Sequence, residues 1–173
     1  MAAMQQGEAS LSDFKSLVEI DLNSGVFGSN WAHCDQISTY VARMVSHNRS
    51  DSLLYANLLS SALNELLETV FRMHRRDGSF LCAVKRRGPV DRVEITVSCQ
   101  AEHLAFYRGV MNVLEGPDVA KRYRETLVAA AAPGPQVGLL ELAVDYAAKL
   151  SVDEIGDGFL RLTADLALEE QTI

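Results

Sequence analysis

Apolar residues in this chain first recur at about every second position and then at every third or fourth. Phe14 to Leu22, "FKSLVEIDL", alternates partially and runs into "NSGVFGSN", whose glycines and asparagines mark a loop, so a first strand is expected there. From Trp31 to about His47 the period becomes helical, with Trp31, Cys34, Ile37, Val41, Met44 and Val45 forming one apolar face. Ser50 or Asp51 then caps a longer helix in which Leu53, Leu54, Ala56, Leu58, Leu59, Leu63, Leu66, Leu67, Val70 and Phe71 make a wide apolar surface. Such a helix is expected to lie buried on a sheet, ending near Asp77 and Gly78.

Alternation returns in "SFLCAVKR" and "DRVEITVSC". Phe80, Cys82 and Val84 share one face, Val93, Ile95 and Val97 another, and "RGPV" joins the two as a hairpin. Leu104, Phe106, Val110, Met111 and Leu114 follow at helical spacing until Gly116 and Pro117. A further helix starts at "DVAKRYRETL", with Asp118 near its positive end, and another covers "LLELAVDYAAKL". "SVDEI", the turn "GDG" and "FLRLTADLAL" close the chain as a strand pair. Helices inserted between antiparallel pairs predict an α/β (α+β) two-layer sandwich, in which a mixed, mainly antiparallel sheet packs on helices. Neither GxGxxG nor GxxxxGK[ST] occurs, which agrees with the exclusion of a Rossmann-type sheet. Residues 1–11 read as a flexible lead and 12–170 as a single domain.

Composition narrows the function. At 173 residues the chain can bury a core without disulfides, and no apolar run reaches the length of a membrane span. A small polar start without a signal-peptide pattern, together with three scattered cysteines, implies reduced thiols in the cytoplasm. The net charge of −7 argues against nucleic acid, since phosphates are neutralised by a basic face. Cys82 and Cys99 lie on expected strands with no activating base nearby and read as core thiols. His33, His47 and His103 have no metal-ligand spacing, and His74 with Arg75 and Arg76 reads as a cationic cap on a helix end. From the residues alone, Asn64 and Glu65 are a polar seam on a buried helix, a weak nucleotide pocket, or a surface that binds a partner.

Two motifs and their order carry a resemblance. "ALNELLETVFRMH" resembles the asparagine-box helix of the histidine-kinase-type (GHKL) ATPase superfamily, which includes anti-sigma-factor serine kinases. "PGPQVGLLELAVDYAAKLSVDEIGDGFLRLTADLAL" is similar to its closing glycine-rich turn, helix and strand pair. The resemblance covers roughly residues 12 to 168 and is nearest to bacterial regulators with a helical insert, here "FYRGVMNVLEGPDVAKRYRETL", in the region of the ATP lid. It implies a histidine-kinase-like ATPase fold.

The resemblance also implies site residues, with departures. Glu65 matches the family carboxylate that positions or activates a nucleophile. Four residues on, where the magnesium-binding asparagine belongs, stands Thr69, whose hydroxyl is shorter than an amide. Asn64 and Glu68 lie beside this pair, and Gly134 and Gly138 flank "PQV" where backbone N–H groups would meet phosphate. The adenine-recognising Asp-x-Gly-x-Gly is absent, because "VEITVSC" runs straight into "QAEHLAFY". The expectation is therefore a cytoplasmic regulator with a degenerate ATP site and no bound cofactor or metal. It would act on another signalling protein of the sigma-factor, anti-sigma-antagonist or response-regulator type, with no nucleic acid or membrane partner, and a homodimer is admitted. The alternative is a divergent protein serine/threonine kinase using ATP and magnesium, with Glu65 catalytic.

Overall fold

The computed structural model describes residues 13–27, 32–74, 78–129 and 134–172. Along these the chain forms β1 (Lys15–Asn23), α1 (Ser24–Phe27), α2 (Ala32–Ser46), α3 (Ser52–Met73), β2 (Ser79–Arg87) and β3 (Val90–Ser98). It continues through α4 (Ala101–Glu115), α5 (Val119–Ala129), α6 (Gln136–Asp145), β4 (Lys149–Glu154) and β5 (Phe159–Leu166), and ends in a 3-10 turn at Leu168–Thr172. The expected N-terminal lead, Trp31, and the turn residues Arg75 to Asp77 lie outside the described residues.

The five strands make one sheet in the order β1-β2-β3-β5-β4. Every pairing in it is antiparallel, which corrects the expectation of a mixed sheet: each described neighbour pair runs in opposite directions. Alternation sorts the two faces as expected. Phe80, Cys82, Val84, Val93, Ile95, Val97, Leu160, Leu162, Ala164 and Leu166 point into the core against α3, whose Leu59, Leu63, Leu66 and Val70 are fully buried. The other face carries ion pairs from strand to strand, Lys85 with Glu94 at 2.6 Å and Arg92 with Asp165 at 2.7 Å. Arg87 and Arg92 also lie over the Phe14 ring, at 4.3 and 3.9 Å from its centroid.

Asp51 begins α3 as expected, its side chain accepting from the Leu54 N–H at 3.0 Å. Close by, a charged knot ties the helical layer to the β2–β3 hairpin. Fully buried Asp91 accepts from Tyr55 (2.6 Å), from Arg49 (3.0 Å), and from Arg86 at both oxygens (2.6 and 2.8 Å). Arg49 continues to Glu169 in the C-terminal turn at 3.3 Å.

Three local expectations change. Ser24 to Phe27, read as loop, form a helical turn anchored by Ser24 Oγ donating to the Gly78 carbonyl. Helix α4 closes at Gly116 as expected, its N–H donating to the Val113 carbonyl at 3.2 Å, while the left-handed turn before α5 falls on Asp118, with φ 64°. The helix expected through Leu150 stops at Asp145, because Ala147 adopts φ 47° and Lys149 to Glu154 pair with β5. Met44, Leu53 and Leu54, placed on apolar core faces by periodicity, are exposed. No helix among the described residues is long and apolar enough to cross a membrane.

Candidate functional site

The middle of α3 turns a polar stripe toward α6. Glu65 and Thr69 stand one turn apart on it, and Asn64 and Glu68 form the neighbouring row, Asn64 Nδ2 donating to Glu68 Oε1 at 2.9 Å. Glu68 in turn pairs with Arg72 at 3.5 Å. Gly138, in the first turn of α6, comes directly onto this stripe. A Cβ there would lie 2.7 Å from Thr69 Oγ1, 3.1 Å from Glu65 Oε2 and 3.2 Å from the Glu65 carbonyl. Only glycine lets two helices approach this closely.

Thr69 is almost fully buried and its hydroxyl donates across the seam to the Pro135 carbonyl at 3.4 Å. Gly134 is not drawn in to the same degree. A Cβ on it would first meet the Gln136 side chain of its own turn, and its carbonyl accepts from the Val137 N–H at 3.2 Å. The structure therefore brings Glu65, Thr69 and Gly138 together, keeps Asn64 and Glu68 beside them, and leaves Gly134 at the margin.

The seam is acidic beyond what the motifs revealed. Burial raises the Glu65 carboxyl to about 7, helped by Glu141 and then Glu68 and opposed by Arg72. Glu141 is itself raised by burial and by Asp145. Asp145 accepts from the Tyr123 hydroxyl at 3.3 Å, and burial pushes that phenol upward. Glu141, Asp145 and Tyr123 were missed by sequence reasoning; the available signal was the i, i+4 spacing of Glu141 and Asp145 on α6. Thr69 thus faces Gly138 directly across the seam, in a setting of carboxyl groups.

A second buried group fills the region after β3. His74 Nε2 lies 3.0 Å from the Tyr107 hydroxyl, and the His74 ring sits 4.2 Å from that of His103. His103 Nδ1 accepts from the Gln100 N–H at the start of α4. His74 does stand at the C-cap of α3, its N–H donating to the Val70 carbonyl at 2.9 Å, and its ring is buried in the core. Among the described residues no group of three or more His, Cys, Asp or Glu side chains is arranged to hold a metal. All three cysteines are free; burial pushes Cys82 up to about 12 and Cys34 to about 11, while Cys99 is only half-buried, so the first two are not activated thiols. Separately, a cavity of about 850 Å³ opens between α4, α5 and the start of α6, lined by Phe106, Val110, Lys121, Arg122, Gln136 and Leu140.

The class is therefore an α+β protein whose five-stranded antiparallel sheet is covered by helices on one face. No family model matches the chain, and no curated protein matches it in sequence. Among solved structures it is similar to a chain of the SiaB-SiaC complex from Pseudomonas aeruginosa, with a TM-score of 0.61 over 88% of this chain and 90% of that one. Their sequences are 13% identical, so the likeness is one of fold.

Proposed function

We propose that the chain is a cytoplasmic bacterial signalling regulator that works by binding another protein through a histidine-kinase-like ATPase domain with a degenerate nucleotide site. The observation that carries this reading is the α3–α6 seam. Where the resemblance puts magnesium and phosphates, Thr69 meets Gly138 without space between them, in a setting of carboxylates. The entry of α4 directly after β3, with His103 and Tyr107 buried, likewise supports a filled adenine position. Partnering draws support from the fold neighbour, which was solved as part of a complex of two proteins. The partner class is a sigma factor, an anti-sigma antagonist or a response regulator.

One observation favours the alternative of an ATP- and magnesium-dependent protein serine/threonine kinase. A carboxyl raised to about 7, as Glu65 is, suits a general base at neutral pH. Thermal denaturation with millimolar ATP and magnesium separates the two readings. A ligand held at a hundred times its Kd adds about 2.7 kcal/mol, a shift of several degrees. No shift is expected. A rise that Glu65→Gln abolishes would overturn the binding-only reading in favour of the kinase, and direct association with a purified regulator recovered by affinity capture would support it.

A further inference from the structure

At one corner of the helical layer large apolar side chains stay in water: Tyr40 is 65% exposed, Met44 40% and Leu53 73%. Tyr40 and Met44 stand one turn apart on the outward ridge of α2, continued backward by Gln36. Leu53 opens α3 beside the far end of that ridge, where Thr39, Arg43, His47, Leu53 and Asn57 line a groove of about 320 Å³. Clustered apolar exposure of this kind marks an interaction surface.

The charges on α2 say what covers it. Beside that ridge runs the row Asp35, Thr39 and Arg43, exposed at its two ends and half-buried at Thr39, whose hydroxyl lies 3.1 Å from that of Ser60 on α3; the row lines one shallow depression together with Gln36, Tyr40 and Met44. Among the described residues neither Asp35 nor Arg43 has an ion-pair partner. They carry opposite charges at equal spacing, about 6 Å to either side of Thr39 along the helix axis. We propose that this surface is the two-fold interface of a homodimer, occupied by the same surface of a second copy. With the axis passing at Thr39 and Tyr40, two α2 helices cross antiparallel. Asp35 then faces Arg43 of the second copy and the reverse pair forms by symmetry. Tyr40 packs on its counterpart, and Met44 on the aliphatic stem of Gln36. This self-complementarity is what an isologous contact requires. A stable interface covers about 800 Å² per partner, more than one helix ridge supplies, so Leu53 and the α2–α3 groove belong to it. The surface is separate from the α3–α6 seam, and the inference does not rest on the seam's function.

Sedimentation equilibrium of the full chain from about 1 to 100 µM tests it. A mass near twice 19.0 kDa is expected at the upper end. Arg43→Glu should raise the dimer Kd about tenfold or more at low salt, and adding Asp35→Arg should restore it by re-pairing both charges in reverse. Tyr40→Ala should weaken the dimer without rescue by either charge change. All three positions are exposed, so an unchanged melting curve for the dissociated form will show that the variants fold. Monomer at every concentration, a dimer indifferent to Arg43→Glu and Tyr40→Ala, or a double variant as weak as the single one would each overturn the proposal. So would a different protein bound on Tyr40 by a chain that is monomeric by itself.

Discussion

Replacing Glu65 by Gln keeps the shape of the side chain and removes only its ionisation. In the folded protein this carboxyl stands near 7 instead of 4.5, chiefly through burial and secondarily through Glu141. Between those two values the native state holds a proton that the unfolded chain has released, so stability falls as pH rises through the window. The full difference corresponds to at most about 3 kcal/mol against the ionised protein, but Glu65 is only half-buried, and screening by water reduces this to about 1–2 kcal/mol. Glu65→Gln should therefore be more stable than the wild type by about 1–2 kcal/mol near pH 8, or about 3–6 °C in Tm. Near pH 5 the advantage should shrink to a few tenths of a kcal/mol. Urea unfolding followed by circular dichroism at the two pH values measures both quantities. A variant less stable than wild type near pH 8, or an advantage that does not change with pH, would refute the picture of a strained carboxylate in the seam.

Gly138→Ala should cost about 1–3 kcal/mol despite the better helix propensity of alanine, because its Cβ would lie 2.7 Å from Thr69 Oγ1. In a Thr69→Ala background the cost should fall, and a double-mutant cycle in urea reads the coupling. Asp91→Asn leaves Arg49 and Arg86 without their buried carboxylate and should cost about 3–5 kcal/mol, visible as a Tm lower by about 10 °C. Tyr55→Phe removes one bond to the same aspartate and should cost about 1–2 kcal/mol in the same assay.

The strands were legible where one face is buried and the other wet, as at Phe80, Cys82 and Val84, since a period of two then records the burial directly. The boundary between α6 and β4 was not, because "LAVDYAAKL" carries no glycine or proline at the break. The chain turns there at Ala147, a residue type that gives no warning of a positive φ. Strand direction between β3 and β5 depends on the path through α4, α5 and α6, which no local pattern encodes. At the candidate site, Glu65, Thr69 and Gly138 could be named from motif positions. Their mutual contact, and the arrival of Glu141, Asp145 and Tyr123, arise from packing α6 on α3 and α5 on α6, between segments some 70 residues apart at the Thr69 and Gly138 contact. Periodicity also misplaced Met44 and Leu53, since it reports which side of a helix is apolar but not how much of that side a neighbouring element covers.

Helix α3 is an unbroken span of 22 residues, and its two duties sit at different places along it. Tyr55 is fastened to the Asp91 knot, while Glu65 and Thr69 meet α6 about 15 to 20 Å further along the axis. Substitutions that far apart without shared partners act on stability nearly independently. Residues of the seam could therefore be exchanged one after another, and a cleft closed or reopened, while the anchoring of the helix to the sheet stays as it is. The scaffold is in this sense tolerant of change along the α3–α6 contact, and redesign of that contact can begin from it without first reinforcing the fold.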